Sequence, residues 1–148
     1  MDIAEILTPD RVIPSLRAND KAQLLQELAR RAGAALNIPQ KSILEAVEAR
    51  ESLGSTGLGQ GFALPHARLK DFDRFFGLFA RLVRPIPYQA VDDKPVDLVF
   101  LLLVPSDTTV NYVSILAAVA RRVRDQDVAR SLRKAEDASA LHSLLIGG

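Results

Sequence analysis

Residues 96–104, Val-Asp-Leu-Val-Phe-Leu-Leu-Leu-Val, decide the fold of this 148-residue chain. All but one of these side chains are apolar, and three of them are β-branched valines. A strand that is apolar on both faces is typical of the centre of a sheet covered by helices on each side. The run is much shorter than the about 20 residues that cross a bilayer, so it predicts a central strand and no membrane insertion.

Three other segments have the composition of strands, at residues 11–16, 62–68 and 75–83. Pro65 interrupts the second of them. Because proline cannot donate to a sheet ladder, we expect this strand to lie at an edge or to carry a local irregularity. His66 is thereby predicted near a sheet margin, where another protein can reach it.

The first half of the chain contains two segments with helical spacing. Asn19 or Asp20 is predicted to cap a helix that reaches about Leu36. Pro39 suits the first turn of a second helix, which we expect to end near residues 53–54 because a glycine there is a common helix stop.

From about residue 108 the pattern becomes helical again, and an apolar stripe predicts a helix with one side on the sheet. The stripe consists of Val113, Leu116, Ala117, Ala120 and Val123. Two shorter helices are predicted over residues 128–134 and 137–145. We therefore expect an α/β fold: a single layered domain over residues 1–148, with a small mixed β-sheet flanked by helices on both sides.

The composition excludes several classes of function. A net charge of +1 provides no concentrated excess of basic residues for nucleic acid. The absence of cysteine excludes disulfides and thiolate chemistry, and two histidines far apart in the chain argue against a metal site. The first residues lack the pattern of a signal peptide, so we expect a cytoplasmic protein that needs no metal or cofactor.

Most chemical information lies in residues 55–68, Ser-Thr-Gly-Leu-Gly-Gln-Gly-Phe-Ala-Leu-Pro-His-Ala-Arg. Glycines at alternate positions, Gly57, Gly59 and Gly61, allow the close backbone approach with which loops bind anions. His66 follows this loop and Arg68 comes two residues later. Amides, an imidazole and a guanidinium in one segment predict phosphate chemistry at His66.

These residues resemble the enzyme IIA components of the phosphoenolpyruvate-dependent sugar phosphotransferase system, in the fructose/mannitol class. The matching segments are Arg50-Glu51, residues 54–61, residues 63–66 and residues 95–105. The resemblance covers nearly the whole chain, and a chain of this length with no transporter domain is most similar to the nitrogen-regulatory branch of the class.

The resemblance implies a phosphocarrier. His66 is the implied phosphorylated residue, with an HPr-like phosphocarrier protein as the donor, and Arg50 matches the arginine that the family places beside the histidine. Regulatory protein targets or a IIB domain are the implied partners on the other side of the transfer.

The family's second histidine, at the start of the helix after residue 108, is replaced here by Tyr112. Tyrosine can donate a hydrogen bond to phosphate but cannot supply the charge of an imidazolium. This departure leaves open a non-phosphorylated regulatory module that has the same fold and acts only by binding proteins. A sugar-transport IIA that passes phosphate to IIB is a separate alternative.

Other residues near the motif have an ordinary structural interpretation beside the functional one. Ser55 and Thr56 are either phosphate donors or turn residues, and Arg68 is also a typical solvated residue at a strand end. Phe62 and Leu64 are predicted to contribute to an apolar rim for docking around His66. We expect His142 on the surface, and we expect a solvated helix face for the basic cluster Arg121, Arg122 and Arg124.

Overall fold

The computed structural model describes residues 2–109 and 111–147. The elements occur along the chain in the order α1 (Ile3–Ile6), a 3-10 turn (Pro9–Arg11), β1 (Val12–Leu16), α2 (Lys21–Leu36), α3 (Gln40–Glu51), β2 (Gly57–Gly59), β3 (Phe62–Ala63), β4 (His66–Leu69), β5 (Phe76–Ile86), β6 (Val96–Pro105), α4 (Val113–Arg124), α5 (Gln126–Lys134) and α6 (Ala138–Ile146). One mixed sheet lies between two sets of helices, which confirms the predicted α/β class.

β6 is the centre of the sheet, as its apolar run predicts. It pairs antiparallel with β5 on one side and parallel with β3 and β4 on the other. Its side chains alternate between two apolar cores: Val99 and Leu101 belong to the core with α2 and α3, whereas Phe100 and Leu102 belong to the core with α4, α5 and α6. Both faces of β6 are therefore buried.

Residues 62–69 form two short strands rather than one, and the break lies at Pro65 as predicted. Both strands continue along the same side of β6, with Phe62 opposite Leu98 and His66 opposite Leu102. The missing N–H of Pro65 interrupts the strand at this position. β6 nevertheless keeps its hydrogen bond here, because the Pro65 carbonyl accepts the Leu102 N–H at 3.0 Å. This interruption makes His66 the first residue of β4.

The start of α2 agrees with its capping signal, whereas both ends of α3 differ from the prediction. Asp20 caps α2, because its carboxylate accepts a backbone N–H from the first turn at 2.8 Å. Pro39 directly precedes α3 instead of lying in its first turn. The helix ends at Glu51, earlier than predicted, because the N–H groups of residues 53 and 54 bond to carbonyls only three residues back.

The predicted core face of α4 is only partly right: Val123 is buried and Leu116 packs against the core, but Val113 and Ala117 do not face it. Ile115, Val119 and Val123 are the buried side chains of this helix. In contrast, Val113 is 59% exposed and Ala117 is also exposed. The helix carries two apolar stripes, and the one that packs on the sheet is displaced by two residues from the one predicted.

Two side chains that were predicted to lie on the surface are partly buried instead. His142 is half-buried, and its Nε2–H donates to the Leu7 carbonyl at 2.9 Å, which connects α6 to the segment after α1. Arg122 donates through Nε to the Leu144 carbonyl at 2.7 Å, so it ties α4 to α6. Arg121 and Arg124 are exposed, as expected for a solvated helix face.

Candidate functional site

The hydrogen bonds of His66 define one tautomer of its imidazole. Nδ1 lies 2.9 Å from the carbonyl oxygen of Leu64, and a carbonyl can only accept, so Nδ1 carries the proton. Nε2 lies 3.2 Å from Nε of Arg50, which can only donate. Nε2 therefore keeps its lone pair, which is the electron pair that a nucleophilic imidazole uses.

Arg50 reaches His66 from the last turn of α3. Its Nε–H donates to His66, while Nη1 donates to the carbonyl of Gly54 at 2.9 Å. The second bond fixes the guanidinium on the turn that follows the helix. Arg50 is thus held beside Nε2, where it can neutralise a group that arrives at that nitrogen.

The pKa of His66 is lowered from its ordinary value of 6.5, chiefly because the half-buried ring is desolvated. The positive charge of Arg50 lowers this pKa further, whereas the bond to the Leu64 carbonyl and the negative charge of Glu51 raise it. The net effect is a lowered pKa, which favours the neutral ring near pH 7. This is the form that has a lone pair on Nε2.

We expect His66 to titrate with a midpoint below 6.5, its ordinary value. Because the unfolded chain then binds a proton more readily than the folded one, this group's contribution to stability is present above that value and is lost as the pH falls. The midpoint can be measured by following the imidazole resonances by NMR across pH 4–9. The His142→Gln variant lacks the resonances of the second histidine and thereby identifies those of His66. A midpoint above the ordinary value would contradict the described environment.

A groove of about 290 Å³ opens beside His66. Its sides are formed by β2, the segment before β4 and one face of α4. The lining includes the apolar side chains Leu58, Leu64, Val113, Leu116, Ala117 and Ala120. Arg50 and Arg124 also line it, and none of the described residues that line it is acidic. The groove therefore joins an apolar wall to an imidazole in an electropositive environment.

The apolar wall differs from the predicted rim. Phe62 is only 2% exposed and belongs to the core, so it cannot form part of a docking rim. Leu64 does line the groove, although it is 4% exposed. The exposed wall comes from α4, whose stripe with Val113 and Ala117 was predicted to face the sheet.

The three glycines of the predicted phosphate loop lie in or beside a tight hairpin. Gly61 has φ +83° and follows Gln60 at φ +58°, so these two residues make the tight turn of the β2–β3 hairpin. The Gln60 N–H is used by a carboxylate oxygen of Asp92 at 2.9 Å. Gly57 packs closely, since a Cβ there would lie 2.8 Å from Ala90. Gly59 has φ +96° and belongs to the same hairpin, so all three glycines serve backbone geometry.

Ser55 and Thr56 also line the groove, and their hydroxyls already have partners within the protein. Ser55 donates to the carbonyl of Tyr88 at 3.1 Å and accepts the N–H of Gly57 at 3.1 Å. Thr56 is 4% exposed and donates to the carboxylate of Glu51. Both hydroxyls therefore belong to the hydrogen-bond network that holds this side of the groove.

Tyr112 and Arg68 form a stacked pair beside the imidazole. The ring centroid of Tyr112 lies 6.4 Å from that of His66, and the two planes are inclined by 53°. The guanidinium of Arg68 lies 4.8 Å from the centre of the Tyr112 ring and also donates to the Ser106 carbonyl at 3.3 Å. The structure thus places a cation next to Tyr112, the tyrosine that the sequence resemblance aligns with a second histidine.

Within residues 2–109 and 111–147, no three side chains of the histidine, cysteine, aspartate or glutamate type are grouped as a metal site would require. In the same part of the chain, no helix has both the length and the apolar character of a membrane span.

The sequence of residues 5–147 matches the model of one protein family, described as "Phosphoenolpyruvate-dependent sugar phosphotransferase system, EIIA 2". This match spans every element that forms the His66 site. The chain belongs to this family. The family resemblance of the sequence is thereby confirmed for this EIIA protein.

Several known proteins are similar to the EIIA protein over nearly its whole length. A nitrogen regulatory protein of Bradyrhizobium diazoefficiens is 43% identical over 145 residues, covering 98% of this chain and 95% of its own. The crystal structure of the nitrogen regulatory protein IIA-Ntr from Neisseria meningitidis superposes with a TM-score of 0.91 at 32% identity, covering 97% of this chain and 98% of its own. A PTS system fructose-specific EIIA component of Haloferax volcanii is 31% identical over 151 residues, with 98% of this chain and 97% of its own covered.

The structure adds residues to the site that sequence reasoning did not assign to it. Leu58 and Arg124 line the groove, and Glu51 lies behind His66. Glu51 was recognised only as part of a motif, and Arg124 only as part of a basic cluster. A charged residue that directly follows the site arginine on its helix was the available signal for Glu51.

Proposed function

We propose that the EIIA protein is a phosphocarrier in which Nε2 of His66 accepts a phosphoryl group from the phosphohistidine of an HPr-like protein. The observation that carries this proposal is the neutral imidazole with Nδ1–H bound to a carbonyl and Nε2 beside Arg50. The similarity to nitrogen regulatory proteins supports a role in nitrogen-type regulation through protein targets. Such a carrier would act in the cytoplasm, where its donor is phosphorylated.

The transfer can proceed without a net change of protons on either ring. The Nε2 lone pair of His66 attacks phosphorus, the donor's P–N bond breaks, and the bonding electron pair stays on the donor imidazole. A donor ring protonated at its other nitrogen leaves as neutral imidazole. The His66 ring keeps its Nδ1 proton and becomes a phosphorylated imidazolium, whose positive charge the Leu64 carbonyl stabilises.

Arg50 and Arg68 are the groups we propose to compensate the charge of the phosphoryl group. Arg50 donates to Nε2 before transfer and needs only a small displacement to donate to phosphate oxygens. Arg68 lies one aromatic ring further away, stacked on Tyr112. This arrangement provides a second cation although the second family histidine is absent, and Tyr112 can donate its hydroxyl to phosphate.

The apolar wall of α4 is the surface we propose for the donor protein. Val113 is 59% exposed, and Leu116, Ala117 and Ala120 line the same side of the groove as His66. Because two imidazoles must meet nearly in line, the donor has to cover this wall. Apolar contacts at the centre of such an interface would be surrounded by charged residues, of which Arg124 is one.

We expect Val113→Asp to weaken docking without altering the chemistry. A carboxylate in the apolar wall loses buried contact and must be desolvated, so kcat/KM for the phosphorylated donor should fall by about tenfold, a loss of about 1.4 kcal/mol, with the rate at saturating donor unchanged. Val91→Asp is the matched control, since Val91 is 79% exposed and does not line the groove. Equal effects of the two substitutions would argue against docking on α4.

Labelled phosphoenolpyruvate, enzyme I and an HPr-type protein test the proposed function together. The carrier predicts acid-labile label on the EIIA protein that depends on the HPr-type protein. The first alternative, a module that only binds proteins, is favoured by Tyr112 and predicts a folded protein that remains unlabelled with every cognate donor.

The second alternative, a sugar-transport IIA, is favoured by the similarity to the Haloferax fructose component. It predicts that labelled EIIA protein passes its phosphoryl group to a IIB domain within the time of one turnover. Retention of the label in the presence of IIB supports the regulatory role instead.

A further inference from the structure

A buried carboxylate lies behind the His66 site. The side chain of Glu51 is 6% exposed, and Lys21 neutralises it at 2.8 Å. The Thr56 N–H donates to one carboxylate oxygen at 3.2 Å, and the Thr56 hydroxyl donates to the other. Since that hydroxyl has one proton, the Tyr88 hydroxyl, 3.0 Å away, is the donor to Thr56. Glu51 thus fixes Thr56 through both its backbone and its side chain.

Thr56 is connected to the imidazole through the main chain. Its carbonyl accepts the N–H of Leu64 at 3.0 Å. The carbonyl of Leu64 in turn accepts Nδ1–H of His66 at 2.9 Å. The same peptide segment that Glu51 anchors therefore holds the carbonyl that selects the tautomer of His66.

We propose that Glu51 is a positioning residue for phosphoryl transfer. Through Thr56 and Leu64 it holds the His66 ring in the tautomer and orientation that leave the Nε2 lone pair available to the donor phosphorus. This role rests on the proposed function of His66 as phosphoryl acceptor, and it is separate from the role of Arg50, which contacts Nε2 directly.

Glu51 also contributes to the electrostatic balance at the ring. The charged and titratable groups around the site are Arg50 and Glu51 from α3, Arg68 from β4, Tyr112 before α4, Arg124 from α4, and Tyr88 and Lys21 in the network behind it. Of these, Arg50 lowers the pKa of His66 and Glu51 raises it. Loss of the carboxylate therefore leaves the cations uncompensated and lowers the basicity of Nε2.

The test compares Glu51→Gln with Glu48→Gln. Glu48 lies on the same helix, is exposed, and has no bond to the Thr56 segment, so it controls for the lost charge. We expect Glu51→Gln to lower the single-turnover rate at saturating phosphorylated HPr-type donor on the order of 10-fold, as loss of partners that orient a histidine does elsewhere. The KM for the donor should be unchanged, and Glu48→Gln should behave as wild type.

NMR of ¹⁵N-labelled imidazoles provides a readout that needs no donor. In Glu51→Gln we expect a mixture of His66 tautomers and a lower titration midpoint than in wild type. If this variant does not fold because Lys21 is left unpaired, Lys21→Met/Glu51→Gln removes that charge and is measured instead. Wild-type tautomer populations in the folded variant, or equal rates for Glu51→Gln and Glu48→Gln, overturn the proposal. Failure of the proposed function has a different signature, in which wild type accepts no phosphate while the tautomer still depends on Glu51.

Discussion

His66→Ala is expected to abolish phosphorylation of the EIIA protein. The substitution removes Nε2, the nitrogen that we propose as nucleophile, and no other described side chain offers a neutral imidazole in the groove. Label transferred from phosphoenolpyruvate through enzyme I and an HPr-type donor should fall to the background of the reaction without the EIIA protein. The fold should persist, because β4 is held by its backbone pairing with β6.

Two matched variants make this experiment specific. His66→Asn keeps a polar group near the position of Nδ1 and lacks Nε2, so it should also remain unlabelled. His142→Ala removes the other histidine, whose Nε2 is bonded to the Leu7 carbonyl, and should keep full labelling. Acid-labile label on His66→Ala would place the acceptor elsewhere in the chain.

Arg50→Ala is expected to lower the rate of the transfer step by about 10²-fold, the usual size when one preorganised donor to a developing anion is removed. Arg50 is the guanidinium in direct contact with Nε2, and its second bond to the Gly54 carbonyl holds it there. Arg50→Lys should recover only part of this loss, since an ammonium group cannot reproduce the two divergent N–H bonds. Single-turnover quenched-flow measurements at saturating donor report this rate directly.

Arg121→Ala is the control for charge, because Arg121 is exposed on α4 and does not line the groove. We expect its transfer rate to match wild type. If Arg50→Ala lowered only the thermal stability and left the transfer rate at the wild-type value, Arg50 would serve only to stabilise the C-terminal end of α3.

The central features of the fold can be predicted from local sequence. The continuous apolar run of β6 requires cover on both faces, and Asp20 provides a capping side chain at the start of α2. Pro65 marks a break in a strand because it lacks an N–H. In each case the chemistry of a few neighbouring residues determines the local structure, without information from distant parts of the chain.

Other features depend on which surfaces meet in three dimensions. α4 carries two apolar stripes, and periodicity alone cannot distinguish the stripe with Ile115 and Val119 from the one with Val113 and Ala117. Only the position of the sheet decides that the first is buried and the second borders His66.

The glycine segment and Glu51 show the same limit within the site. Alternating glycines are compatible with both an anion-binding loop and a tight hairpin. The structure forms the hairpin, because Phe62 and Ala63 pair with β6 on one side and with β2 on the other. The role of Glu51 depends on Lys21, which is thirty residues away and cannot be paired with it from spacing. Long-range contacts of this kind cannot be predicted from a single sequence.

The most direct measurement of the central proposal is the identity of the nitrogen that carries the phosphoryl group. Uniformly ¹⁵N-labelled EIIA protein, phosphorylated by enzyme I and an HPr-type donor, gives long-range imidazole ¹H–¹⁵N spectra in which coupling to ³¹P marks the modified atom. We expect the coupling at Nε2 of His66, with Nδ1 still protonated against the Leu64 carbonyl. Phosphate on Nδ1 of His66, on another residue, or on no residue of the folded protein would contradict the proposed phosphoryl-acceptor site.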